Sequence, residues 1–382
     1  MKNLYHIAAS VDWEKESFPE YQDLIFLIFF ALFFPVLRFI LDRFIFEALA
    51  KRMIFGKKTV VNINGREERK KINKFKESAW KFVYFLSAEL LALSVTCNEP
   101  WFTDSRYFWA GPGDVVWPNL KMKLKLKLLY MYAGGFYFYS IFATLYWETR
   151  RSDFAAQIIH HVTTVSLIVL SYVYGFARIG SVVLALHDGS DVFMEIAKMS
   201  KYSGFDLIAD IFFSLFALVF TSLRIICYPF WIIRSTCYEL LYVLDIQKER
   251  TTGIILYFVF NALLICLLVL HLFWFKIILR MVKNQILSRG HITDDVREGK
   301  RIICFIDHIY FQHDSFLILH CIFVYDLQIL NPMMTTKTDP SVAKTKKYNL
   351  WSRLMFEAFK YIVFLVEAAL LDVDEQIEHT EL

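Results

Sequence analysis

Seven separate stretches of this chain each run for about twenty mostly apolar residues, the length a helix needs to cross the hydrocarbon core of a bilayer. They are Asp23 to Leu41, Ala79 to Cys97, Leu128 to Trp147, Gln157 to Gly175, Ile179 to Ile196, Leu207 to Ile232 and Ile254 to Val282. Lipid offers the backbone no hydrogen-bond partners, so continuous runs of this length point to helices that satisfy their own amides. The expected fold is all-α: a polytopic membrane protein with about seven transmembrane helices in one bundle. Composition agrees with this. Hydrophobic residues make up 57% of the 382, and the charged 21% are bunched between the runs, which excludes an ordinary soluble enzyme. Thirteen Gly and eight Pro are too few for a collagen-like or low-complexity chain, and the six Cys show no close pairing of the kind that frames a secreted scaffold. The Cys are read as small apolar fillers.

The net charge of +4 is read loop by loop as a topology signal, not as a nucleic-acid footprint. Residues 1–22 carry seven Asp, Glu, Lys or His side chains and no basic-then-apolar leader, so the first span, 23–41, is expected to act as its own insertion signal behind a lumenal N-terminal segment. The connection 43–76 holds 11 Lys and Arg against three Glu, and short basic loops of this kind stay in the cytosol. Alternation then puts Glu148 to Asp153, Lys198 to Lys201 and the chain from Lys283 onward on the cytosolic side. Lys121, Lys123, Lys125 and Lys127 fall on the lumenal side. Their alternation with apolar residues suggests a segment lying in the interface with its ammonium groups snorkelling to water.

Most spans carry one or two ionisable groups near their ends. The fourth, however, opens with His160-His161, and the fifth contains His187, Asp188, Asp191 and Glu195. One Asp at a helix centre disfavours insertion by about 2.5–3.5 kcal/mol, so two of them demand a compensating environment. At 100° per residue the three acids share a stripe about 60° wide, which must face protein, water or a partner. The short link Gly175 to Arg178 makes the two spans antiparallel neighbours, with His161 and Asp191 within roughly 5 Å of the same depth. A His oriented by a carboxylate is a general base, or a nucleophile able to carry an acyl group as an acyl-imidazole. Neither role needs a metal, and the HxxxH, HxxHH and HExxH spacings of metal enzymes are absent. Structural readings stand beside these. The His pair can be interfacial, the Asp pair a packing clamp, Glu195 a partner of Lys198 or Lys201, His187 and His271 structural, and Arg150-Arg151 a positive-inside anchor.

Arg150-Arg-Ser-Asp-Phe, His160-His-Val-Thr and the long run from Leu184 to Met199 resemble the Lag motif of ceramide synthases within the TLC-domain family. Phe75-Lys-Glu-Ser-Ala-Trp80, Ser87-Ala-Glu-Leu-Leu-Ala-Leu-Ser94, Asn98-Glu-Pro-Trp101 and Arg289-Gly-His-Ile-Thr-Asp-Asp-Val-Arg297 resemble its plant type. The resemblance covers roughly residues 10–298, with 77–285 as the TLC domain carrying six of the spans. It implies N-acylation of a long-chain sphingoid base by fatty acyl-CoA in the endoplasmic reticulum membrane, with no bound cofactor, and leaves room for a homo- or heterodimer. It assigns His160, His161, Asp188 and Asp191 to catalysis. The anionic CoA would approach Arg150, Arg151, Lys198 and Lys201 on the cytosolic face. His160 is expected as acyl acceptor and His161 as proton carrier.

Two departures accompany the resemblance. The 34 residues after the first span are too few for the homeobox-like segment of animal relatives, so no nucleic-acid role follows. The tail, 286–382, is expected to be cytosolic and is atypical after residue 298, lacking the family's acidic Ser-rich run. Its apolar stretches Phe316 to Leu330 and Leu354 to Leu371 suit interfacial helices, and the terminal His379-Thr-Glu-Leu382 is read as a chance match to a lumenal retrieval signal. A non-catalytic lipid-binding or translocation-assisting scaffold and a proton-coupled transporter are the competing functions. The first would not require both His and both Asp, and the second usually shows repeat symmetry that is missing here.

Overall fold

The computed structural model describes residues 11–56, 65–111, 115–240 and 252–287. The C-terminal motif from Arg289 and every reading made for the tail beyond residue 287 lie outside them. Helix α1 (Leu24–Leu41) continues through a π-helical turn at Asp42–Phe46 into α2 (Glu47–Phe55). Then come α3 (Arg66–Thr96), α4 (Leu124–Tyr146), α5 (Phe154–Val173), α6 (Ala177–Tyr202) and α7 (Asp206–Phe220). The last of these runs on in π-helical form over Thr221–Ile233 and Ser235–Glu239, and α8 spans Thr252–Leu287. One antiparallel ribbon, β1 (Glu16–Ser17) with β2 (Met122–Lys123), completes the described structure.

Among the described residues, six helical stretches are long and apolar enough to cross a membrane. They correspond to the first, second, third, fourth, sixth and seventh expected spans. The fifth is α6, whose 26 residues fall between the shortest and longest of these, 20 and 35, but which carries the His and acidic residues that lower its hydropathy. The chain is thus a multi-pass all-α membrane protein with about seven membrane helices. It divides into two compact units, Met1–Leu270 and His271–Leu382, and α8 contributes to both. The site described below belongs wholly to the first.

Within that unit α6 packs chiefly against α3 and α7, and α1 against α4. In lipid there is no hydrophobic drive between helices, so close backbone approach at small residues does much of the joining. Gly135 of α4 illustrates it: a Cβ there would stand 2.5 Å from the Phe30 Cβ and 2.9 Å from the Leu27 carbonyl of α1. Beside this contact Phe34, Trp80, Tyr84 and Phe136 bury their rings between α1, α3 and α4, with Phe34 edge-on to the other three.

The lysine run is held by ion pairs. Lys123 and Lys125 both bridge Glu14 and Glu99 at 2.6–3.2 Å, and Lys127 meets Asp23 at 2.8 Å and the Phe18 carbonyl at 2.7 Å. Hydrogen bonds from Lys123 and Lys125 hold the Glu14 carboxyl down to about 2. The expected snorkelling gives way to neutralisation, because β1 and the residues after α3 bring carboxylates to the start of α4. Midway along α3, Lys81 bridges Glu77 and Glu148 at 3.5 and 2.7 Å, and Arg151 meets Glu77 at 3.1 Å. Arg38 of α1 joins this group through Tyr139 at 2.9 Å and Glu148 at 3.5 Å.

Overpacking a tight contact costs about 1–3 kcal/mol. Gly135→Leu is accordingly expected to lower the melting temperature of the detergent-solubilised protein by several degrees, whereas Phe138→Leu, at a ring 40% exposed, leaves it within a degree. Equal melting temperatures for the two variants would show that the α1–α4 contact contributes nothing.

Candidate intramembrane active site

Helices α5 and α6 are joined by Tyr174 to Phe176 and run antiparallel, which places the head of α5 level with the middle of α6. Leu170, Tyr172 and Ser171 cap that turn through their carbonyls, and Gly175 at its centre has φ +75°, a conformation a side chain would strain. His160 and His161 lie partly buried on α5 with ring centres 5.6 Å apart. Asp188 on α6 is 1% exposed.

Tyr137 of α4 links these groups. Its hydroxyl donates to Asp188 Oδ1 at 2.6 Å, and its ring centre lies 6.1 Å from His160 and 5.9 Å from His161. The His pair, Tyr137 and Asp188 therefore form one cluster, in which a phenol stands between the imidazoles and the carboxylate. The Nδ1 of His161 is buried without a hydrogen-bond partner among the described residues.

Asp191 is occupied differently. Arg224, in the π-helical stretch beyond α7, reaches back 33 residues to place Nη2 2.7 Å from Asp191 Oδ2, and the same nitrogen donates to the His187 carbonyl. Arg224 is 5% exposed and Asp191 keeps little exposure. A π-helical register alters which residues face the neighbouring helix, and such stretches are frequent at functional sites. Here it aims a cation at the acidic stripe. Glu195, the third member, pairs with Lys198 at 2.8 Å, as one sequence reading allowed. His187 turns its Nδ1 to the Val183 carbonyl at 2.6 Å and stacks 6.5 Å from His160.

The four basic residues have distinct settings. Arg150 is exposed and lies over Phe154 at 4.3 Å, Arg151 is committed to Glu77, Lys198 to Glu195, and Lys201 meets Asp206 at 3.2 Å. From His160 an apolar cavity follows α5 through Thr164 to Ser171 and α6 back from His187 towards Ile179, with Trp109 and Phe260 also in its wall. The eleven residue steps from His160 to Ser171 span about 16 Å. The cavity's empty space, open mouth included, is about 700 Å³.

Sequence reasoning passed over Arg224, Tyr137 and Glu89. Arg224 and Glu89 stand inside spans and not at their ends, so the insertion penalty that singled out the Asp pair would have flagged both. Tyr137 is one of 20 Tyr and carries no comparable signal.

Removing one partner of a buried ion pair costs about 3–5 kcal/mol, while replacing both is often neutral. Arg224→Met is expected to destabilise the protein sharply, and Arg224→Met with Asp191→Asn to recover most of that loss. Thermal unfolding in detergent measures both; a double variant no more stable than the single one would mean that Arg224 does not serve Asp191.

The profile of the TRAM_LAG1_CLN8 family, the TLC domain, matches residues 74–280, a stretch that contains every residue of this cluster. Over 298 residues the chain is 98% identical to "Alternaria stem canker resistance protein 1" of Solanum lycopersicum, a match covering 78% of this chain and 97% of that one. It is 57% identical to "Ceramide synthase LOH1" of Arabidopsis thaliana over 77% of this chain and 96% of that one. Identity to "Ceramide synthase 1 LOH3" of Arabidopsis thaliana is 58%, over 77% and 96%. The chain belongs to the TLC-domain family, on its plant ceramide-synthase branch.

Proposed function

We propose that this chain is an acyl-CoA-dependent N-acyltransferase that converts long-chain sphingoid bases into ceramides in the endoplasmic reticulum membrane. The observation that carries the reading is His160 at the head of an apolar cavity, in one cluster with His161, Tyr137 and the buried Asp188. Both substrates are lipids, and a membrane-embedded chamber with a reactive imidazole at one end suits a chain that lies along the cavity with its carbonyl at His160. The names of the Arabidopsis relatives support the same activity.

In this mechanism the unprotonated nitrogen of His160 attacks the thioester carbonyl, forming an acyl-imidazole and releasing CoA as the thiol. The free amine of the sphingoid base then attacks the acyl-imidazole, giving the amide and regenerating the imidazole. The amine reaches the site as an ammonium and must lose a proton first; His161 accepts it. Asp188, held by Tyr137, orients the pair electrostatically, and Asp191 acts through Arg224 to fix α6 against the π-helical stretch. CoA lies on the face bearing Arg150, Arg151, Lys198 and Lys201, where Arg150 is the exposed member.

Incubating purified protein in nanodiscs with a sphingoid base and an acyl-CoA series, with ceramides read by mass, tests the reading. His161→Ala and Asp188→Asn are each expected to lower turnover by about 10²–10⁴-fold, the worth of a general base, with insertion intact. Turnover above about a tenth of wild type in both would refute the assignment. Without sphingoid base, one acyl group is expected to accumulate on the protein, labile to hydroxylamine and absent from His160→Ala. Label persisting in His160→Ala would move the nucleophile to another residue.

A further inference from the structure

Glu89 sits in the middle of the second span, on α3, and has no use in the mechanism above. Its Oε2 is buried and lacks a hydrogen-bond partner. The other acids of this region are all engaged: Asp188 by Tyr137, Asp191 by Arg224 and Glu195 by Lys198. Glu89 alone of these four faces the apolar medium with neither a cation nor a donor. Intramembrane carboxyl groups are rare and costly, and one without a protein partner is a candidate for binding a ligand of opposite charge.

Its seat is specific. The carboxyl lies against Gly189, between Asp188 and Asp191 in α6, where a Cβ would meet Oε1, Cδ and Oε2 of Glu89 at 3.2, 3.3 and 3.4 Å. Glycine at this position lets the carboxyl rest on the α6 backbone beside Asp188. On the other side, Leu86, Leu90 and Leu93 of α3 are 37%, 60% and 37% exposed, and Glu89 itself keeps partial exposure. The carboxyl thus lies at the seam between α3 and α6, where the surface that meets lipid joins the helix that carries the site.

We propose that Glu89 binds the ammonium group of the sphingoid base as that lipid approaches laterally from the bilayer. The inference rests on the function proposed above and adds a residue and a route to it. A sphingoid amine is protonated at neutral pH, as an alkyl ammonium is, and its long chain confines it to the membrane. Ammonium and carboxylate make a charge-assisted hydrogen bond, strengthened where water is scarce.

The probe is a sphingoid base carrying two N-methyl groups, a tertiary amine that is protonated at neutral pH, keeps one N–H to donate and cannot form a stable amide. On the wild-type protein in nanodiscs it is expected to bind and to inhibit competitively against the sphingoid substrate. Glu89→Gln, which keeps shape and removes charge, should weaken that binding and raise the KM for sphingoid base by at least about tenfold, leaving the KM for acyl-CoA and acylation of the protein unchanged. Gly189→Ala, which crowds the carboxyl off its seat, should raise the same KM, and Glu89→Asp should restore part of the affinity. Wild-type affinity for the cation in Glu89→Gln overturns the proposal. So does a loss spread equally over acyl-CoA and sphingoid base, or a protein too unstable to purify in Glu89→Gln but not in Glu89→Asp, since each marks a structural role. The underlying function fails separately: a wild-type protein that makes no ceramide yet binds the cation through Glu89 would leave the ammonium site standing and remove the acyltransferase.

Discussion

Two carboxylates in the middle of a membrane helix set the terms for the rest of this molecule. Asp188 and Asp191 together weigh about 5–7 kcal/mol against insertion of α6, more than one helix–helix contact recovers. The structure offsets this with two different partners on two different helices. The neutral phenol of Tyr137 donates to Asp188, and the guanidinium of Arg224 pairs with Asp191. The first bond needs α4 beside α6 and the second needs the stretch beyond α7 beside α6, so the polar groups of the site also specify how the bundle assembles. This is the use of buried polar groups with the best physical warrant, since they penalise alternative packings more than they stabilise the right one.

The same arrangement separates the two acids by role. Asp191 is held in place by the Arg224 guanidinium, whereas Asp188 is hydrogen-bonded by a phenol whose ring lies beside two imidazoles. The proposed mechanism accordingly gives Asp188 a part in the chemistry and Asp191 a part in holding the helices together. The apolar cavity leading away from His160 is where the proposed mechanism would seat the acyl chain. Water excluded from such a site leaves an acyl-imidazole to the amine and not to hydrolysis.

What was legible in the sequence divides along physical lines. Span length and hydropathy depend only on local composition, so all seven helices could be read, and α6 could be identified as anomalous from its acids alone. Helical angle and the short α5–α6 link were enough to bring the His pair level with the Asp pair. Partners were not legible, because they come from across the fold: Arg224 lies 33 residues from Asp191, Tyr137 lies 51 from Asp188, and Phe18 and Asp23 lie 109 and 104 from Lys127. The lysine run shows the consequence, since its alternation could be read from the sequence, but the carboxylates of Glu14 and Glu99 that neutralise it could not be inferred from spacing. The π-helical stretch that aims Arg224 was equally hidden, because no residue pattern distinguishes it from ordinary helix.

The central claim is that α6 occupies the membrane only because Tyr137 and Arg224 satisfy its acids. Translocon-mediated insertion of the isolated segment Ala177–Tyr202, flanked by glycosylation acceptors in a carrier protein, measures this directly. The account predicts poor insertion of the wild-type segment, efficient insertion when Asp188 and Asp191 are both replaced by Leu, and a spanning α6 in the full chain. An isolated wild-type segment that inserts as well as the double-Leu segment would contradict it, because the acids would then need no partners to lie where they do.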